Sequence, residues 1–224
     1  ARAIREKIKQ QEQICGICFT NEDAFAVCGI VRKDGSFGKA RFCGGGKEYR
    51  HRCEQTLKKI NASRKAVGSY GKSRNPQLNK RYWKYLKHLG EHFAHQTARE
   101  IVDFCKENGV GVLALPDYEE RYGSMVLNRV GKWTPLYLSI RIRKILEYKA
   151  WSEGISIAKV RYYRRENAGE KNGGNRYLET ARRIGLQCWK NHGVVMADKR
   201  EDRGNPAGEN DCDKRQAGMR TCQT

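Results

Sequence analysis

Nowhere does the 224-residue chain hold the roughly 18 consecutive apolar residues that a membrane-spanning helix needs. No signal-peptide pattern opens it, and its first residue is Ala1 rather than Met, so it reads as a fragment of a non-membrane protein. Acidic residues are few: 25 Asp and Glu face 45 Lys and Arg, a formal charge of +20 that excludes an acidic scaffold. Apolar residues make up 38%, little for a self-sufficient globule but more than a disordered chain carries. The nine cysteines are odd in number and follow no regular framework. That excludes a disulfide-stapled secreted module and points to reduced thiols in the cytoplasm. There is no internal repeat. What the chain does have is positive charge, and a long polyanion is its natural partner.

Hydrophobic periodicity orders the rest. Residues 1–13 are charged and helix-permissive, and residues 14–20 form an uncharged apolar run that predicts a central strand buried on both faces. After a polar turn, residues 24–31 predict a second strand, Lys33-Asp34-Gly35 a hairpin turn, and residues 37–42 a third, antiparallel strand. Gly44-Gly45-Gly46 has no G-x-x-x-x-G-K-S/T continuation and reads as a flexible turn rather than a phosphate loop. Residues 48–66 are basic and helix-prone. A long helix is expected from about Pro76, suited to a first helical turn, to Glu107, with Leu78, Tyr82, Tyr85, Leu89, Phe93 and Ile101 on one stripe. A buried strand at 110–115, a polar connection at 118–132, a helix at 136–153 and a strand at 155–163 follow. Residues 164–175 read as a loop, 176–184 as a short helix and 187–196 as a knuckle-like stretch. Residues 199–224 turn to charge, Gly and Asn and read as a flexible tail. Strands alternating with helices predict an α/β fold with a mixed sheet, the class that includes RNase H-like nuclease domains.

Five local words carry a resemblance. They are Ile14-Cys15-Gly16-Ile17-Cys18-Phe19-Thr20; the basic stretch 54–75 followed by 88–109; Val112-Leu113-Ala114-Leu115-Pro116-Asp117-Tyr118; Tyr148-Lys149-Ala150 with Gly154-Ile155; and Cys188-Trp189-Lys190-Asn191-His192-Gly193 with Met196-Ala197-Asp198 and Asn205. In order and spacing they resemble the C-terminal RuvC portion of TnpB proteins and type V CRISPR effectors. The matched features are a first strand usually reading G-I-D-x-G, a helical insertion, a second strand ending L-E-D/N-L, a Y-K-A…G-I step, and the second knuckle of a zinc ribbon before A-D-x-N-A-A-x-N. The resemblance implies an RNase H-like (RuvC) mixed sheet over residues 1–198, with a long basic helical insertion at 48–108 and a degenerate zinc-ribbon region at 160–196. It also implies guide RNA and target DNA as partners, an N-terminal half or transposon-encoded protein supplied separately, and a bacterial, nucleoid-associated cytoplasmic setting.

The family cuts DNA with three carboxylates that hold two Mg²⁺ ions, because Mg²⁺ is hard and takes oxygen ligands. In this sequence the first falls on Cys18, a soft ligand, and the second on Pro116, which has no ligand; only Asp198 keeps a carboxylate. Resemblance in fold therefore does not bring the activity with it, and no cofactor is expected. The alternatives are a Mg²⁺-dependent endonuclease with relocated acids, Asp117 or Glu119 helping Asp198, and a non-functional transposon remnant. The zinc ribbon keeps only Cys188 and His192, and two ligands cannot close a tetrahedral site. His88, His92 and His95 at helical spacing read as an exposed basic face rather than metal ligands. Nucleic-acid contact is expected from Lys58, Lys59, Arg64, Lys65, Lys72, Arg74, Lys80, Arg81, Lys84 and Lys87, interleaved with Tyr70, Tyr82, Trp83 and Tyr85. It is also expected from Arg161, Arg164 and Arg165 around Tyr162 and Tyr163, and from Arg182 and Arg183.

Overall fold

A computed structural model describes residues 2–67, 77–117, 122–161 and 175–192. After helix α1 (Arg2–Gln10), strands β1 (Gln13–Phe19), β2 (Ala26–Arg32) and β3 (Phe37–Cys43) form an antiparallel meander. Helices α2 (Gly46–Ala66) and α3 (Lys80–Glu107) then carry the chain across the sheet to β4 (Val112–Pro116), which lies parallel to β1. Helices α4 (Tyr122–Val130) and α5 (Pro135–Ser152) lead to β5 (Ser156–Val160), parallel to β4, and α6 (Arg176–Asn191) follows. The sheet order is β3-β2-β1-β4-β5. β1 occupies the centre because it alone joins an antiparallel to a parallel neighbour, and its uncharged sequence, buried from Ile14 onward, tolerates cover on both faces.

The alternation of strand side chains divides the core in two. Cys15, Ile17 and Phe19 of β1, with Leu113 and Leu115 of β4, face α2, α3 and α5. Ile14 and Cys18, with Val112 and Ala114, face α1 and α6. On the first side, Phe25, Tyr49 and Phe93 meet with ring centroids 5.5–5.7 Å apart and tie the start of β2 to α2 and α3. Such contacts are worth about 0.5–1.5 kcal/mol each beyond the area they bury. On the second side, α6 lies directly on backbone. A Cβ added at Gly16 would stand 2.1 Å from the carbonyl oxygen of Ala181, and one at Gly185 would stand 2.5 Å from the Val31 side chain. Trp189, fully buried, closes this side and donates its indole N–H to the Val31 carbonyl at 3.4 Å.

The mixed α/β sheet agrees with the sequence expectation, and each expected strand begins or ends within three residues of its predicted limits. Four local expectations are corrected. The long helix starts at Lys80 rather than Pro76: Asn79 takes a left-handed conformation (φ 63°), which Asn tolerates, and holds a turn over 77–79. The polar connection contains α4, which packs Val126 against its surroundings and leaves Met125 and Leu127 outside. One inward residue gives a short helix almost no periodic signal. The glycine run is packed rather than loose, since Gly46 opens α2 with no room for a side chain beside the Glu22 carbonyl. Finally, the short helix and the knuckle-like stretch are a single helix as far as Asn191. The expected tail at 199–224 lies outside the described residues.

Candidate functional site

The register of β1 on β4 decides what stands at the end of the sheet. Cys15 pairs with Leu113 and Gly16 with Ala114, so two further residues along each strand bring Cys18 and Pro116 level at the carboxyl ends. Strand alternation sets both on the α6 side, Cys18 with Ile14 and Pro116 with Ala114. These are the two positions at which the resemblance expects acids, and the register, extended to the strand ends, sets them level. Asp198, the third, lies outside the described residues.

The chemistry of this pair does not suit a hard cation. Cys18 is 8% exposed and its thiol points to the Phe19 carbonyl at 3.6 Å; Pro116 is buried and offers no donor atom. Asp117 follows Pro116, and its N–H donates to the Val160 carbonyl at 2.7 Å, continuing the β4–β5 ladder. Alternation therefore assigns its exposed side chain to the Leu113 and Leu115 face, away from Cys18. Glu22, just past β1, is held elsewhere. Its carboxylate accepts from the Tyr177 hydroxyl at 2.8 Å and pairs with Arg176, both from the first turn of α6. The Tyr177 hydroxyl first, and the Arg176 guanidinium with it, pull the Glu22 carboxyl below its ordinary range. Glu119 and Glu120 lie outside the described residues.

The zinc-remnant pair, Cys188 and His192, lies on and just after α6. Cys188 is fully buried on the inner stripe with Ala181, Ile184 and Trp189, and burial pushes its thiol up to about 12. His192 stands just after the helix, its Nδ1 2.8 Å from the Cys188 carbonyl oxygen. The i, i+4 spacing that looked like half a knuckle is a helix stripe that points sulfur into the core. His88, His92 and His95 lie along the exposed side of α3, where His88 approaches Glu91 at 3.5 Å and His95 meets the Tyr148 hydroxyl at 3.3 Å. Among the described residues, no three His, Cys, Asp or Glu side chains are arranged to hold a metal ion.

Cysteines scattered in sequence nonetheless meet in space. Cys43 of β3, Cys28 of β2, Cys15 of β1 and Cys105 of α3 are all fully buried in one core, with the Cys28 and Cys43 sulfurs 3.7 Å apart. Hydrogen bonds from Cys105 and then Cys28 draw the Cys15 thiol below its usual range, and the same bonds raise the two donors. Sequence spacing carried no sign of this row, because three strands and a distant helix build it. Cys15 and Cys18, three apart on a strand, point to opposite faces and form no pair.

The expected basic residues separate into two groups on opposite sides of the sheet. Lys58, Lys59 and Lys65 on α2, and Lys80 and Lys84 on α3, are exposed. Arg64 lies over the Trp83 ring at 5.6 Å and Arg81 over Tyr82 at 4.8 Å. On α6, Arg182 and Arg183 both reach Glu179, at 3.5 and 2.9 Å, so part of their charge is already answered. Arg161, just beyond β5, is exposed. Lys72, Arg74, Arg164 and Arg165 lie outside the described residues. Sequence reasoning missed Lys132, Arg141 and Lys144, which stand beside Lys87 around a groove between α3 and α5. They are spread over α5 and the turn before it, so they form no local run.

No protein-family model matches the sequence, and no curated protein matches it. Among solved structures, the chain is similar to one in a cryo-EM structure of a Cas12f1–sgRNA–target DNA complex, with 20% identity and a TM-score of 0.44 over 66% of this chain and 36% of that one. It is also similar to one in a cryo-EM structure of a CRISPR-Cas12f ternary complex, with 18% identity and a TM-score of 0.46 over 72% of this chain and 31% of that one. The chain spans about a third of the length of each.

Proposed function

We propose that this chain is a RuvC-like, nucleic-acid-binding portion of an RNA-guided DNA-binding protein of the TnpB and type V effector kind, and that it no longer cuts DNA efficiently. The observation that carries the reading is the parallel register of β1 on β4, Cys15 against Leu113 and Gly16 against Ala114. Carried two residues further, that register sets Cys18 level with Pro116, two positions about a hundred residues apart in sequence. The sheet order β3-β2-β1-β4-β5, with its antiparallel meander and two parallel additions, supports an RNase H-like arrangement. In such an arrangement that strand end is where metal-binding acids belong, and a thiol with a proline cannot bind Mg²⁺ there.

What remains is a scaffold with positive charge on it. The exposed lysines of α2 and α3 suit phosphate contacts that position a strand or a heteroduplex without reading its sequence. Guide RNA and target DNA fit as partners, with the remaining portion of a full effector supplied in trans or by a longer chain.

Two measurements test the reading. Binding to single-stranded DNA and RNA should weaken steeply as salt rises, because each neutralised phosphate releases a counterion. Incubation with Mg²⁺ should leave DNA essentially uncut, and Cys18→Asp with Pro116→Glu should raise cleavage above that background. Robust Mg²⁺-dependent cutting by the parent protein, abolished by Asp198→Ala, would overturn the inactive reading and favour relocated acids. Affinity no better than that of polylysine at physiological salt would favour a remnant without function.

A further inference from the structure

On the helical side of the sheet, away from Cys18 and Pro116, a groove of about 600 Å³ opens between α3 and α5. Its volume falls within the roughly 300–1,000 Å³ typical of small-ligand sites. Its floor is apolar, made by Leu86, Gly90 and Leu138. Trp83 and Trp133 stack in its wall, centroids 6.2 Å apart and planes 27° from parallel, and both side chains are partly buried against the core. Its cations are Lys87, Lys132, Arg141 and Lys144, and no carboxylate lines it. Arg141 reaches Glu91 at 3.6 Å, while Lys87, Lys132 and Lys144 are exposed with no acidic partner among the described residues.

We propose that this groove is a nucleotide site: an unpaired base packs against the Trp133 and Trp83 pair, taking the place of the Lys132 ammonium over the Trp133 ring, and Lys87, Lys132 and Lys144 hold the phosphates beside it. The proposal rests on the nucleic-acid-binding reading above and adds a place and a mode to it. A wall of aromatic rings with a cationic rim is the combination that binds single strands, stacking supplying base contact and lysines tracking the backbone. Lys132 already stands 5.3 Å from the Trp133 ring centre, so the ring is electrostatically tuned and a phosphate near it finds a counter-charge. Arg64 of α2, over Trp83, sets a further cation beside the tryptophan pair. A polyanionic ligand also matches a cationic lining free of acids.

The test is fluorescence and anisotropy titration of the whole chain with short oligothymidylate, oligouridylate, and an abasic phosphodiester of equal length. Stacking on Trp133 should quench part of the tryptophan emission with either base-bearing strand and not with the abasic phosphodiester. A preference between the two base-bearing strands assigns DNA or RNA as the source of the nucleotide. Trp133→Ala should weaken binding to base-bearing strands by roughly 5- to 150-fold and leave abasic binding unchanged. Lys87→Glu with Lys144→Glu, both on exposed positions, should lower the salt slope by about 2 and carries the test if Trp133→Ala does not fold. Unchanged affinity in Trp133→Ala, or an unchanged slope in the lysine pair, overturns the site while leaving binding by the α2–α3 face intact. Quenching by an acidic leucine-containing peptide, with none by either oligonucleotide, overturns it in favour of a protein partner. Absence of salt-dependent binding by the parent removes the underlying reading, and this one with it.

Discussion

A methyl group added at Gly16 would collide with the Ala181 carbonyl at 2.1 Å, a backbone atom that cannot rotate away. Gly16→Ala should therefore lift α6 from β1 and cost about 3 kcal/mol, at or above the upper range for overpacking. Denaturant unfolding reads this as a lower midpoint, whereas Gly109→Ala, with nothing near its Cβ, should show only the smaller strain of its positive φ. Glu22 gives a second single-residue expectation. Its folded-state carboxyl lies below the unfolded value of 4.5, so its stabilising contribution is complete above that pH and is lost as pH falls through the depressed value. Glu22→Gln should thus be less stable than the parent at neutral pH and converge with it in acid, followed by thermal unfolding across pH; a gap that persists unchanged at low pH would rule out the carboxylate as its origin. In the sequence, Gly16 was legible as part of a strand word and Glu22 as an acid beyond the strand end. Their partners were not, because Ala181 and Tyr177 approach from more than 150 residues away in the chain.

At the scale of elements, α6 is the most informative. Ala181, Ile184, Gly185, Cys188 and Trp189 recur at three- and four-residue spacing, the signature of one helix, yet Cys188 and His192 suggested the remnant of a knuckle. The periodicity was present in the letters and the metal-like spacing competed with it. Burial resolves the two, since a sulfur inside the core is a packing atom. Two outcomes follow. Trp189→Ala should cost about 3–5 kcal/mol, because it empties the largest fully buried side chain. Strong chelators should leave the melting temperature unchanged, where a structural zinc site would lose much of its folding energy. The strands were the most readable elements: uncharged runs such as β1 and β4 have no alternative to burial. α4 was the least readable, having only Val126 to bury.

For the whole molecule, a charge of +20 opposes folding by self-repulsion, and any bound polyanion relieves it. A strand present at a hundred times its dissociation constant should add about 2.7 kcal/mol of stability, visible as a rise in melting temperature that fades with salt. An equal rise at high salt would point to a non-ionic cause. Composition predicted the polyanion; it could not show that the cations divide between the two sides of the sheet, because sides exist only once the register is set. The same register has a consequence for biosynthesis. β1 meets β2 within a hairpin, but its other edge waits for β4, about a hundred residues later. During translation this uncharged, buried strand therefore stands with an open edge while two long helices emerge, a slow closure by contact-order reasoning and an opening for intermolecular pairing. Soluble yield should thus depend on how quickly the ribosome reaches β4, and on chaperones that shield β1 until it does.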